Sequence, residues 1–579
     1  MKLGILALDY DGTIAEDGLL HPDVRRAIDD VRGRGIAVIL VTGRILSDLR
    51  RVAGDLRSFD AVVAENGAVL AFPESGHALV LGHAPPPAFL DELTRRGVLT
   101  DVGACVVEAD AVQAPEVLAA VRDLELPLAL VFNRSRLMVL PQGISKATGF
   151  REALRALRLS EHNAIAIGDA ENDHALLEAC ERGVAVGWGS AALKAAADEV
   201  LEGAGPPAVA GYLRHAVAQE RLGPPRVARR RLTLGQTADG QPVALAVQGR
   251  NVLIAGDPRS GKSWVAGLLC EQLILQRYCV CVIDPEGDYQ PLQTLPGVVT
   301  LGGEDPPPRP REIARALRHP DVSVVIDLSK IRHDEKRDFV VALLPLLATL
   351  RRRTGLPHRI VVDEAHYFLH TPQVRSLLDL DLGGYTLVTY RAAQLHRDVL
   401  AASEAIILTR VSDPHEVQTL RELAGREGAA EAWTDTLRSL SIQEAVLFPS
   451  TEEARGRLLR FRLNPRLTPH VRHRQKYLDV PVAERDAFVF ALDGTPTGQC
   501  ARTLKEFARI VSEAAPAVLD GHLRRSDMSR WIADVFGDYP LASRLQSLED
   551  LYRLHQALDI QDAIVQLIEE RYALGDGVA

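Results

Sequence analysis

NVLIAGDPRSGKSW, residues 251–264, runs an apolar strand at Val252–Ala255 into a glycine-bearing loop and the start of a helix. In Gly256-x4-Gly261-Lys262-Ser263 the glycines let backbone N–H groups wrap phosphate oxygens at a helix N-terminus. Within that loop Gly256, Ser260 and Gly261 shape the cradle. Lys262 is placed to neutralise the β- and γ-phosphates, and Ser263 to ligate magnesium. The pattern is complete and its strand–loop–helix context is the required one, so a nucleotide such as ATP is the expected ligand.

Working outward, 579 residues exceed what one hydrophobic core organises, so several domains are expected. Hydrophobic content of 47% with 25% charged residues suits folded domains rather than disorder. The net charge of −10 gives no global attraction for nucleic acid, so any such contact must be local. Six scattered cysteines form no CxxC pair and no metal-ligand spacing. The opening apolar run leads straight into a charged loop, and no apolar stretch is long enough to cross a bilayer. The composition reads as that of a cytoplasmic protein with no membrane partner.

The first 215 residues alternate strands and helices, which implies a parallel sheet with its site at the carboxyl ends of the strands. LGILAL leads to Asp9-Tyr10-Asp11-Gly12-Thr13, and IAVILVT ends at Thr42-Gly43-Arg44. GISKATGF carries Lys146, and AIAIGD opens the loop Asp169-Ala170-Glu171-Asn172-Asp173. Alone, DYDGT reads equally well as a solvated acidic turn; four such loops in order do not. Together with AVVAENGAVL they resemble the haloacid dehalogenase superfamily, in particular its Cof-type phosphatases. The resemblance implies a Rossmann-like hydrolase domain over 1–215 with a substrate-choosing cap at about 78–140. It implies Asp9 as nucleophile and Asp11 as acid/base. Thr42 and Lys146 would hold phosphate, and Asp9, Asp11, Asp169 and Asp173 would ligate Mg2+.

Residues 216–231, with their paired prolines and arginine triplet, read as a linker. After the phosphate loop come the strands CVCVIDPEGDY, DVSVVIDLS and RIVVDEAHYF. Asp363 is placed to hold magnesium through water and Glu364 to orient a hydrolytic water. With IDPEGDY and YTLVTYRAAQL this resembles the HerA/FtsK group of P-loop ATPases. The resemblance implies a RecA-like domain over 232–480 and a homo-oligomer, a hexameric ring that acts as a DNA translocase. Tyr390 stands where that group carries a polar amide sensor; Gln394 is a nearby substitute, and Arg391, Arg410 and Arg457 are candidate arginine fingers.

RGRLLRFRLNPRLTPHVRHRQK, residues 455–476, interleaves arginine with apolar residues. It reads either as a basic face for a phosphate backbone or as partners for the acidic side chains of this chain. Residues 481–579 read as a small, mostly α-helical accessory domain. There His522, Arg524, Arg525, Asp527 and Trp531 fall on packed helices rather than in a site.

Together these readings give an α/β protein that joins a Mg2+-dependent phosphomonoesterase to an ATP-hydrolysing ring motor, with DNA processing or antiviral defence as the analogous setting. The phosphatase substrate is a phosphorylated small molecule or a nucleic-acid end. One alternative is a polynucleotide kinase/phosphatase. Another is a nucleotide-controlled ring scaffold whose first domain recruits a partner protein.

Overall fold

The computed structural model describes residues 2–219, 230–247, 250–423, 430–449, 458–469, 481–482, 484–536, 538–554 and 560–572. It divides into two compact units, the first formed by 1–284 and 292–468, the second by 285–291 and 469–579.

Within the first unit, the N-terminal module is an eight-stranded sheet. Six strands are parallel, in the order Glu199–Leu201, Arg182–Val186, Ala164–Gly168, Ile5–Leu8, Ala37–Val41 and Ala61–Ala64. Their near-continuous apolar sequences follow from burial on both faces. Leu6 and Leu8 enter one helix-covered layer while Ile5 and Ala7 enter the other. Two antiparallel strands, Val69–Phe72 and His77–Val80, complete the sheet. The start of the expected cap is therefore corrected: His77–Val80 satisfies its backbone by pairing with the main sheet. The cap proper is a four-stranded antiparallel sheet, Leu128–Asn133, Arg136–Pro141, Val107–Asp110 and Asp101–Val102, with helices Pro87–Arg95 and Ala114–Asp123.

The central module is an eleven-stranded sheet whose core is seven parallel strands, in the order Ala405–Leu408, Val252–Ala255, Tyr385–Thr389, Arg359–Val362, Val280–Asp284, Ser323–Asp327 and Val298–Gly302. Antiparallel strands Glu444–Pro449, Leu459–Leu463, Arg231–Gln236 and Pro242–Ala246 extend one edge. The helix Lys262–Leu275 is apolar nearly all round and accordingly buried.

The described part of the basic segment favours the structural reading. Arg460 pairs with Glu444 at 2.8 Å, and the buried Arg466 pairs with the buried Glu271 at 2.9 Å while stacking on Trp264. Arg457 and residues 470–476 lie outside the described residues.

The second unit is mainly helical, as expected, and Phe488–Leu492 and Thr495–Ala501 add an antiparallel hairpin to it. Hairpin and helices share a core of Phe488, Phe490, Phe507 and Trp531. His522 accepts from the Ala491 amide at 2.9 Å and pairs with Asp527, so this polar cluster fastens the hairpin to a helix. Among the described residues no helix is long and apolar enough to cross a membrane.

Candidate active sites

Three adjacent parallel strands of the N-terminal module deliver the first site. Ala164–Gly168 ends at Asp169, Ile5–Leu8 at Asp9 and Ala37–Val41 at Thr42. Lys146 begins the helix Lys146–Leu157, whose Ser145 N-cap forms a capping box with Thr148 that fixes where the lysine emerges. Its buried Nζ lies 2.5 Å from Asp9 Oδ1 and 2.6 Å from Asp173 Oδ1. Asp173 Oδ2 accepts from the Asp169 and Ala170 amides at 3.0 and 3.1 Å, and the Thr13 hydroxyl donates to Asp9 Oδ2 at 3.3 Å. Thr42 is buried at the same sheet edge, and its hydroxyl accepts from the Arg44 amide at 3.2 Å.

Asp9, Asp169 and Asp173 each offer a carboxylate oxygen within 4.8 Å of the others, all three buried. Burial, then the Asp173 charge, pushes the Asp169 pKa up to about 6. The same two causes hold Asp9 well above the carboxylate range. Burial opposes the Lys146 charge, yet the Asp173 and Asp9 carboxylates outweigh it and raise its pKa. Crowded hard oxygen donors of this kind fit Mg2+.

Asp11 stands apart from this trio. Arg44 grips it with two hydrogen bonds of 2.7 Å, Nε to Oδ2 and Nη2 to Oδ1, and reaches Asp48 at 2.7 Å. Asp11 is thus not among the residues gathered as metal ligands; its carboxylate is held at the mouth of the site. Sequence reasoning quoted Arg44 only as the end of a loop, and it missed Arg134 altogether. Arg134 sits at the turn of the cap hairpin in a left-handed conformation (φ 55°) and forms an ion pair with Asp169. Met138 of the same hairpin comes within reach of Gly43. The cap therefore lies directly over the acidic cluster.

The second site forms where Val252–Ala255, Tyr385–Thr389 and Arg359–Val362 run side by side and parallel. Their carboxyl ends bring the phosphate loop, Tyr390 and Asp363–Glu364 to one edge. Gly256 must be glycine, since a Cβ there would run into Thr409 Oγ1 and the Ser260 hydroxyl. Ser260 hydrogen-bonds Thr409 at 2.5 Å and the Asp257 carbonyl at 2.7 Å, so its hydroxyl braces the loop. Gly261 takes the positive φ of 101° that leads into the helix. Lys262 Nζ folds back on the Asp257 carbonyl at 2.8 Å and lies 5.8 Å from the centre of the Tyr390 ring. Ser263 is the second residue of the helix.

Asp363 and Glu364 are both buried, and Glu364 adopts a left-handed backbone (φ 46°, ψ 44°), a strained conformation of the kind found at functional sites. Tyr390 packs edge-on against His366 with ring centres 4.5 Å apart, and the Arg391 guanidinium lies 5.3 Å from the Tyr390 ring. Burial, then the Glu364 charge, raises the Tyr390 pKa. Tyr390, Arg391 and Gln394 line a cleft of ≈ 530 Å³ together with His366, Tyr367 and His370. Arg410 is placed differently, beside its own phosphate loop: its Nε is 3.8 Å from Asp257 Oδ2, and its carbonyl accepts from the Asp257 amide at 2.7 Å.

Comparison with known proteins gives a family match for each module. Residues 6–112 and 100–213 match the haloacid dehalogenase-like hydrolase family, and residues 233–342 match the central domain of the helicase HerA. The second match ends before Asp363 and Glu364. The chain therefore fuses a haloacid dehalogenase-like hydrolase domain to a HerA-type ATPase domain, an enzyme with phosphatase and P-loop ATPase modules in one polypeptide.

Relatives of the first module include the phosphoglycolate phosphatase of Methanoculleus marisnigri. It is 29% identical over 219 residues, covering 34% of this chain and 91% of that protein. The 5-amino-6-(5-phospho-D-ribitylamino)uracil phosphatase YcsE of Bacillus subtilis is 24% identical over 241 residues, covering 37% of this chain and 96% of that protein. A solved haloacid dehalogenase-like hydrolase from Bacteroides thetaiotaomicron aligns with 19% identity and a TM-score of 0.34, over 37% of this chain and 99% of its own.

Proposed function

We propose that the chain is a bifunctional hydrolase: a Mg2+-dependent phosphomonoesterase working through an aspartyl-phosphate, joined to an ATP-hydrolysing module that assembles as a ring. The observation that supports the phosphatase reading is the convergence of Asp9, Lys146, Asp169 and Asp173 at one sheet edge. An Asp9 oxygen attacks phosphorus while Asp11 gives its proton to the departing alkoxide oxygen. Asp11 then takes a proton from water, whose oxygen attacks the same phosphorus, freeing Asp9 and inorganic phosphate. Lys146 and the Thr42 hydroxyl hold the phosphoryl oxygens. Bound Mg2+, on Asp9, Asp169 and Asp173, supplies charge neutralisation between carboxylate and phosphate.

Arg44 positions Asp11, and Arg134 closes the cap over the acids. A cap seated this near the cluster favours a small phosphomonoester over a nucleic-acid end, in line with the small phosphorylated substrates named for the relatives.

In the ATPase module the phosphate loop and Lys262 hold the triphosphate, Ser263 and Asp363 are the magnesium-binding residues, and Glu364 orients the attacking water. Tyr390 reports the state of the nucleotide, with Arg391 or Gln394 at its side. A six-membered ring acting on DNA, in DNA processing or defence, is the assembly that likeness to a helicase domain supports.

The test is paired. Purified chain with Mg2+ releases phosphate from an aryl phosphate and from ATP, and a 5′-hydroxyl oligonucleotide accepts no γ-phosphate. Transfer to the oligonucleotide makes the protein an end-processing kinase instead.

A further inference from the structure

The two catalytic modules meet within the first unit, and the charge along their seam does not balance. On the ATPase side two guanidinium groups are buried, Arg351 near the end of the His333–Thr354 helix and Arg359 at the start of the Arg359–Val362 strand. Among the described residues neither meets a carboxylate. Arg351 gives Nη2 to the Gly383 carbonyl and lies 4.9 Å from the Tyr385 ring centre. Arg359 donates to the carbonyls of Arg250, Val247 and Tyr385 at 2.6, 3.0 and 3.2 Å. A buried ion without a counter-ion is strongly disfavoured.

Four buried polar atoms here lack any hydrogen-bond partner: Nε and Nη1 of Arg351, Nε2 of His358 and Oδ1 of Asn163. His358 Nδ1 accepts from the Cys279 amide at 2.8 Å, so Nε2 carries the ring hydrogen. These residues line one cavity of ≈ 30 Å³, with Arg359 and Lys2 also in its wall. Three donors on two residues of the wall thus lack a partner against one such acceptor; the Glu181 carboxylate, also in the wall, is already engaged by His162, Tyr278 and Arg230. In the wall Lys2, Arg351 and Arg359 outnumber the single Glu181 carboxylate, and burial, then the Arg351 charge, lowers the Arg359 pKa to about 10. The volume admits a monatomic ion or a water and is too small for a phosphate ester.

We infer that this cavity binds a small inorganic anion of halide size, held by Arg351 and His358, which neutralises the seam and fastens the phosphatase module to the ATPase module. The cavity touches the amino ends of strands from both modules. Asn163 directly precedes the strand that ends at Asp169, and His358 directly precedes the strand that ends at Asp363 and Glu364.

The test melts the full chain in chloride, bromide or gluconate at one ionic strength. The expected result is a saturable rise in melting temperature with either halide over gluconate, absent from Arg351→Leu. Equal melting in all three salts overturns the inference, as does a halide effect that Arg351→Leu retains. If that variant fails to fold, crystals of the native chain grown in bromide decide: an anomalous peak between Arg351 and His358 supports the site, and a water with no anomalous signal overturns it.

Discussion

Asp11 and Asp169 differ in what holds them, and that difference separates positioning from substrate entry. Arg44 grips Asp11 through two bonds and is itself anchored by Asp48, so it fixes a group that acts in proton transfer. Arg134 comes from the cap and reaches across to pair with Asp169. We expect Arg44→Gln to lower kcat by about 10²-fold, the lower end for losing a positioned acid/base, with KM little changed. Arg134→Gln should act mainly on KM. Steady-state kinetics on an aryl phosphate separates the two, and equal effects on kcat in both variants would remove the distinction.

The residues at strand ends, Asp9, Thr42, Asp169, Gly256 to Ser263 and Asp363–Glu364, were legible because each follows a short apolar run within a few residues. Arg44's partner lies 33 residues away and Arg134's lies 35 away, separations that no local pattern encodes.

At the scale of elements, the seam is built from short turns that precede strands. His162 sits between the Glu181 carboxylate at 2.9 Å and the Gln276 carbonyl at 2.8 Å, stacked on Tyr278 with ring centres 3.6 Å apart. The Tyr278 hydroxyl donates to Glu181 at 2.7 Å. Burial opposes the Glu181 charge, but the hydrogen bond and charge of His162, with Arg230, hold its pKa below the usual range. A depressed carboxyl contributes stability in full above its unfolded value, about 4.3 for glutamate, and loses it as pH falls through the folded value. The native chain should therefore lose melting temperature more steeply than Glu181→Gln below about pH 4, the range under that unfolded value. Parallel acid limbs in the two proteins would contradict this.

His162→Leu, which removes the imidazole partner and leaves Glu181 to Tyr278 and Arg230, should cost about 1–3 kcal/mol in denaturant unfolding. None of this was legible in the sequence: His162, Glu181 and Tyr278 carry no motif, and their meeting depends on how two separately patterned sheets dock. The same holds for the basic segment, where Arg460 and Arg466 prove to be partners of Glu444 and Glu271.

For the whole molecule, the alternation of apolar strands and helices disclosed two α/β modules in order. It did not disclose that residues 285–291 group with the C-terminal unit. Nor did helical periodicity disclose the hairpin at 488–501, where Phe488 and Phe490 alternate at strand spacing inside an otherwise helical stretch. A ring motor predicts that native mass measurement with ATP and Mg2+ finds six copies; a monomer under those conditions would remove the ring from the account.

The central claim is that one polypeptide carries two separate hydrolytic centres. Assaying aryl-phosphate and ATP hydrolysis side by side in the native chain, Asp9→Asn and Glu364→Gln tests it most directly. Asp9→Asn should lose phosphatase turnover by about 10⁶-fold, the scale for deleting a nucleophile, and keep its ATPase. Glu364→Gln should bind ATP, lose about 10²–10⁴-fold in ATP turnover and keep its phosphatase. Loss of both activities in either variant would contradict two centres.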